Sequence, residues 1–84
     1  MKVPVKLIQK PAMEIAVQSE FIRLDAFLKL ANVVESGGQA KLAIQDGRVR
    51  VNGAVCMQRG KKLRPGDVAR FQGESYRVTA GEEE

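Results

Sequence analysis

The sequence has no histidine, no tryptophan and a single cysteine, and its aromatic residues are limited to three phenylalanines and one tyrosine. A lone Cys56 excludes an internal disulfide, and without histidine the usual Cys/His zinc constellations are also excluded. Catalysis fares no better. Asp25, Ser36 and Cys56 are the residues an enzyme would have to recruit, and none has an evident base, oxyanion site or metal beside it in the pattern. No catalytic residue, cofactor or metal ligand is therefore expected. An aromatic content of 5% argues against a surface that stacks unpaired bases. Long apolar runs are missing as well: Pro4, Lys6, Lys10 and Pro11 break up the N-terminal stretch, which rules it out as a signal peptide or membrane span. Residues 1–11 read as a tail, and the reducing cytoplasm as the expected compartment.

What is present is enough for one small domain. The chain has 84 residues, of which 44% are hydrophobic and 29% charged, the balance of an ordinary globular protein. Its formal charge of +4 is unevenly spread. Between Lys41 and Arg70 stand eight basic residues (Lys41, Arg48, Arg50, Arg59, Lys61, Lys62, Arg64 and Arg70) against Asp46 and Asp67, while the chain closes on Glu82, Glu83 and Glu84. A local excess of that size fits a polyanionic partner, although charge runs are as often only solvated surface.

The hydrophobic pattern changes period along the chain. Met13, Ile15 and Val17 alternate as in a strand with these three side chains facing a core. Leu24, Phe27, Leu28 and Ala31 fall on one face of a helix from about Leu24 to Asn32, with Asp25 in its first turn. Ser36 is set to cap a second helix that ends at Asp46-Gly47, where Ala40, Ala43 and Ile44 supply the core-facing stripe. Arg48 to Val55 then reads as a strand running into an Asn52-Gly53 hairpin turn, with Val49 and Val51 on one face and Arg48, Arg50 and Asn52 on the other. After the basic loop 58–63, Pro65-Gly66 fits a type II turn, and two further strands follow around Gln72-Gly73. Cys56, Phe21, Phe27, Phe71 and Tyr76 are expected in the core or at its edges. These elements add up to an α+β fold in which two short helices pack on a small antiparallel β-sheet.

Four pieces in this order carry a resemblance: Ile22-Arg23-Leu24-Asp25-Ala26-Phe27-Leu28, Ser36 to Ile44, Gly47-Arg48-Val49-Arg50-Val51-Asn52-Gly53, and Lys62-Leu63-Arg64-Pro65-Gly66-Asp67-Val68. Together they resemble the RNA-binding domain named after small-subunit ribosomal protein S-four, over roughly Ser19 to Phe71. The flanks look like those of its stand-alone, YbcJ-like bacterial members. The resemblance implies the fold called the αL motif, in which two helices and the following β-hairpin form one RNA-contact surface. It also implies RNA-binding roles for Arg23, Ser36, Gln39, Lys41, Arg48, Arg50 and Asn52. Lys61 and Lys62, in the basic loop, are added as diffuse phosphate contacts. Two positions depart from the family pattern, because Gly37 and Ala26 stand where many members carry a basic residue. Gly37 and Gly38 would instead let a phosphate approach the exposed N–H groups of the helix start.

The expectation is thus a single domain over residues 12–80 between the tails 1–11 and 81–84. It is expected to act as a cytoplasmic monomer that does no chemistry and binds structured RNA, ribosomal or transfer, including RNA on the ribosome. Membrane contact is not expected. Two alternatives stay open: an assembly factor whose basic face docks an acidic protein, and a DNA binder.

Overall fold

A computed structural model describes residues 12–81, so the expected tail 1–11 and, apart from Gly81, the expected tail 81–84 lie outside the described residues. The chain runs β1 (Met13–Val17), β2 (Ile22–Arg23), α1 (Leu24–Leu30), α2 (Gly37–Gln45), β3 (Val49–Val51), β4 (Ala54–Val55), β5 (Lys62–Leu63), β6 (Val68–Phe71) and β7 (Glu74–Ala80). Five strands form one sheet in the order β1-β7-β6-β3-β4, and β2 and β5 form a separate two-stranded ladder. The expected antiparallel sheet is present over β7-β6-β3-β4, and β1 is added in parallel along β7. A parallel pair needs a long crossover, and here the whole intervening domain supplies it.

Both helices end as their sequences require. The α1 helix stops at Leu30, two residues before the expected end, because Asn32 takes a left-handed conformation with φ of 65°. The N–H of Val33 then donates to Leu28 and that of Asn32 to Lys29, which satisfies carbonyls at the helix end. At the end of α2, Gly47 (φ 76°) does the same, with Arg48 N–H donating to Ala43 and Gly47 N–H to Ile44. Among the described residues no helix is long and apolar enough to cross a membrane.

The core lies between the helices and one face of the sheet. Leu24, Phe27 and Leu28 of α1 and Ala40, Ala43 and Ile44 of α2 meet Val49, Val51, Ala69, Phe71, Tyr76 and Val78 of the strands. Leu63 joins them from β5 and is fully buried. Along β1, Val17 is buried and Ile15 half-buried, but Met13 is 54% exposed, contrary to the expectation that it faces the core. Among the described residues β1 is an edge strand with β7 as its one neighbour, and Met13 at its start is left uncovered.

Both hairpin turns use the left-handed pairs their sequences offer: Asn52-Gly53 (φ 52° and 88°) and Gln72-Gly73 (φ 55° and 82°). Asn52 also ties two turns together. Its amide N–H donates to Asp67 Oδ1 (3.2 Å), its Oδ1 accepts from Val68 N–H (3.0 Å), and its own N–H donates to the Val68 carbonyl (2.8 Å). Asn52→Ala removes both side-chain bonds and the residue type best suited to a positive φ, so it should lower stability by about 1–2 kcal/mol. Equilibrium urea unfolding should show a lower midpoint at unchanged slope, and an unchanged midpoint would contradict this role.

Candidate nucleic-acid interface

Helix α1 has no side-chain cap, since Arg23 at its N-cap position makes no capping bond. Its first free N–H groups are satisfied from a distant loop instead: Leu24 N–H donates to the Lys61 carbonyl (2.8 Å) and Asp25 N–H to the Arg59 carbonyl (3.1 Å). The Ala26 N–H donates to Asp25 Oδ1 (2.8 Å). Next to these bonds, Ile22 pairs with Leu63 and Arg23 with Lys62 in the β2–β5 ladder. The loop between β4 and β5 is thereby strapped across the start of α1.

That strap assembles a cluster of charge. Asp25 is 8% exposed, and its Oδ2 accepts from Arg23 Nη2 (3.1 Å) and from Arg59 Nε (3.2 Å). A buried carboxylate needs such partners, because an unpaired one is strongly disfavoured. The two guanidiniums, Lys29 and Gly37 line a shared hollow of about 220 Å³ with Asp25 and Ala26. Three cations against one carboxylate leave it positive. At its rim, the start of α2 is capped by Ser36, whose Oγ accepts from Gln39 N–H (3.2 Å), while Gln39 Oε1 accepts from Glu35 N–H (2.6 Å). A side chain at Gly37 would meet nothing within 4 Å, so the backbone there is open to approach.

The expected contact residues do not all converge. Arg23 and Gly37 share the hollow just described. Gln39 and Arg48 line a second one, with Val33, Leu42, Phe71 and Gln72, and Arg48 lies 3.8 Å from Asp46. Arg50 and Asn52 line a third on the sheet, with Arg70 and Ser75. Thus Arg48 and Arg50, expected on one face, open onto different hollows, because Arg48 precedes β3 and lies at the end of α2. The Asn52 amide is committed to the turn. Lys61 and Asn52 flank a fourth hollow beside β4, Lys41 is exposed on α2, and Lys62 Nζ sits 4.7 Å from the centre of the Phe21 ring.

Sequence reasoning did not single out Arg59, Lys29 or Arg70. Arg70 had a signal: in Val68-Ala69-Arg70-Phe71 it alternates with core residues just as Arg50 does. Lys29 lies one turn beyond Asp25 on α1. Arg59 sits in an aperiodic loop and meets a partner 34 residues away, which no local pattern reveals.

The chain is similar to known proteins in sequence and in fold. The S4 domain model, that of the ribosomal protein S-four type, matches residues 15–79. The "Probable ribosome maturation protein RlbA" of Bacillus subtilis is 44% identical over 59 residues, covering 70% of this chain and 83% of that one. YbcJ of Escherichia coli is 42% identical over 59 residues, covering 70% and 84%. The solution structure of E. coli YbcJ, described as revealing an αL motif involved in RNA-binding, superposes with a TM-score of 0.59 at 31% identity over 95% of this chain and all of that one.

Asp25→Ala would leave two guanidiniums and one helix N–H without their shared acceptor and should cost about 2–3 kcal/mol. Arg59→Ala, at the more exposed end of the pair, should cost about 1 kcal/mol or less. Chemical denaturation of both variants checks the order, and equal losses would contradict the central position of Asp25.

Proposed function

Because this chain belongs to the S4-domain family, we propose that it is a non-catalytic protein that binds structured RNA, ribosomal or transfer, through the basic surface of its two helices and β-hairpin. The observation that carries this reading is the positive hollow at the start of α1, where Arg23, Arg59 and Lys29 surround one neutralising carboxylate beside the open backbone of Gly37. Guanidiniums fork onto phosphate oxygens, and free N–H groups at a helix start favour the same ligand. Phe27, Phe71 and Tyr76 are buried and only Phe21, with Lys62 Nζ over its ring, is exposed, so there is no platform for stacking successive bases and recognition is directed to phosphates, 2′-hydroxyls and the shape of a folded RNA.

The names of the relatives support the same partner class: RNA-binding is said of E. coli YbcJ, and ribosome maturation of B. subtilis RlbA. On this reading the protein works as a monomer in the cytoplasm, with ribosomal or ribosome-bound RNA as the first partner to examine.

The test is crosslinking and sequencing of RNA bound in cells, with an Arg48→Glu/Arg50→Glu variant beside the natural chain. Both side chains are exposed, so the circular dichroism should not change. Enrichment of a folded RNA by the natural chain, falling to background in the variant, is the expected outcome. Undiminished recovery by a folded variant would contradict the hairpin's part in the surface, and background recovery by both would contradict RNA binding itself.

A further inference from the structure

Most arginines among the described residues have a carboxylate close by. Arg23 and Arg59 hold Asp25, Arg48 lies near Asp46, and Arg77 lies 3.7 Å from Glu14. Arg50, Arg64 and Arg70 differ. Among the described residues none of the three forms such an ion pair, and two of them, Arg50 and Arg70, are partners in register across β3 and β6. Like charges directly opposite each other destabilise a sheet, so this pair is a local cost that no carboxylate among the described residues offsets.

The placement of the pair explains what could compensate it. Val49, Val51, Ala69 and Phe71, which alternate with these arginines, face the helices and the core. Arg50 and Arg70 therefore stand on the opposite face of the sheet, which no element among the described residues covers, and both are exposed. Ser75 of β7 is the register partner of Arg70, which makes one row, Arg50-Arg70-Ser75, across three strands. The row lines a shallow hollow of about 600 Å³ together with Asn52, Gly53 and Val68. Arg50 Nη1 donates to the Gly53 carbonyl (3.3 Å), which anchors one corner of its guanidinium near the turn.

We propose that Arg50, Arg70 and Ser75 form a second phosphate site on the open sheet face, taking a phosphodiester of the RNA backbone. The proposal rests on the RNA-binding reading, which already includes Arg50 of the hairpin, and deepens it by adding Arg70 and Ser75 on a face that points away from the helices lining the hollow at Arg23 and Arg59. A phosphate between the two guanidiniums would relieve their repulsion, each donating a charge-assisted bond, while the Ser75 hydroxyl donates a third. No aromatic side chain lines the hollow, so the contact would fix the backbone and carry no base preference. The module would then touch two segments of one folded RNA, one on each side.

The experiment is a fluorescence anisotropy titration of the full chain with a labelled RNA stem-loop at several salt concentrations. Arg70→Gln should weaken binding about tenfold at low salt and reduce the slope of log Kd against log salt by about one. Arg70→Lys should keep the slope while losing part of the affinity, because a point charge replaces a fork. Ser75→Ala should cost about twofold to threefold, as for one weak neutral donor. Amide NMR spectra of the variants verify an unchanged fold. Lys29→Gln, at the other hollow, separates the possible failures. If Lys29→Gln weakens binding and Arg70→Gln leaves both affinity and slope at natural values, the sheet site is wrong and the RNA-binding reading stands. If the natural chain does not bind the stem-loop, both fall. If polyglutamate binds more tightly than RNA and depends on Arg70, the face serves an acidic protein and the proposal is overturned.

Discussion

The structure depends on a single strap. Helix α1 is only seven residues long and lacks a side-chain cap, so its first N–H groups must find acceptors elsewhere. They find the carbonyls of Arg59 and Lys61, more than thirty residues along the chain. The same few residues pair as β2 and β5, bury Leu63 in the core and bring Arg59 to Asp25. One closure thus completes the helix, fixes the basic loop and builds the cationic hollow. On the proposed function, folding and the assembly of the RNA surface are the same event.

That economy accounts for how charge is supplied. Lys29 and Arg59, together with Arg23, bring positive charge to the space around Gly37. Asp25 makes the concentration tolerable, because a buried carboxylate shared by two guanidiniums offsets their repulsion and holds their planes in place. On the sheet, no carboxylate among the described residues mediates between Arg50 and Arg70 in this way, and on the proposed reading an external phosphate takes that place.

The local devices were legible in the sequence. Ser36 at the start of α2, Gly47 at its end, Asn52-Gly53, Pro65-Gly66 and the alternating valines of β3 each act through neighbours a few residues away, and each stands where the pattern put it. Long-range features were not legible. The two-residue ladder of β2 and β5 is too short to leave a period, and the parallel pairing of β1 with β7 joins the two ends of the described chain. The candidate site followed the same division. Exposed positions and the Ser36 cap could be read from the local pattern, but that Asn52 commits its side-chain amide to Asp67 and Val68, and that Arg59 joins Arg23 at Asp25, appears only when distant segments meet.

The measurement that bears most directly on the account is a competition between a structured RNA and a DNA duplex of the same length and sequence for the full chain at one fixed salt concentration. Recognition of phosphates and 2′-hydroxyls in A-form geometry predicts that the RNA displaces the DNA and not the reverse. Equal displacement in both directions would reduce the basic surface to general attraction for polyanions and contradict its assignment to RNA.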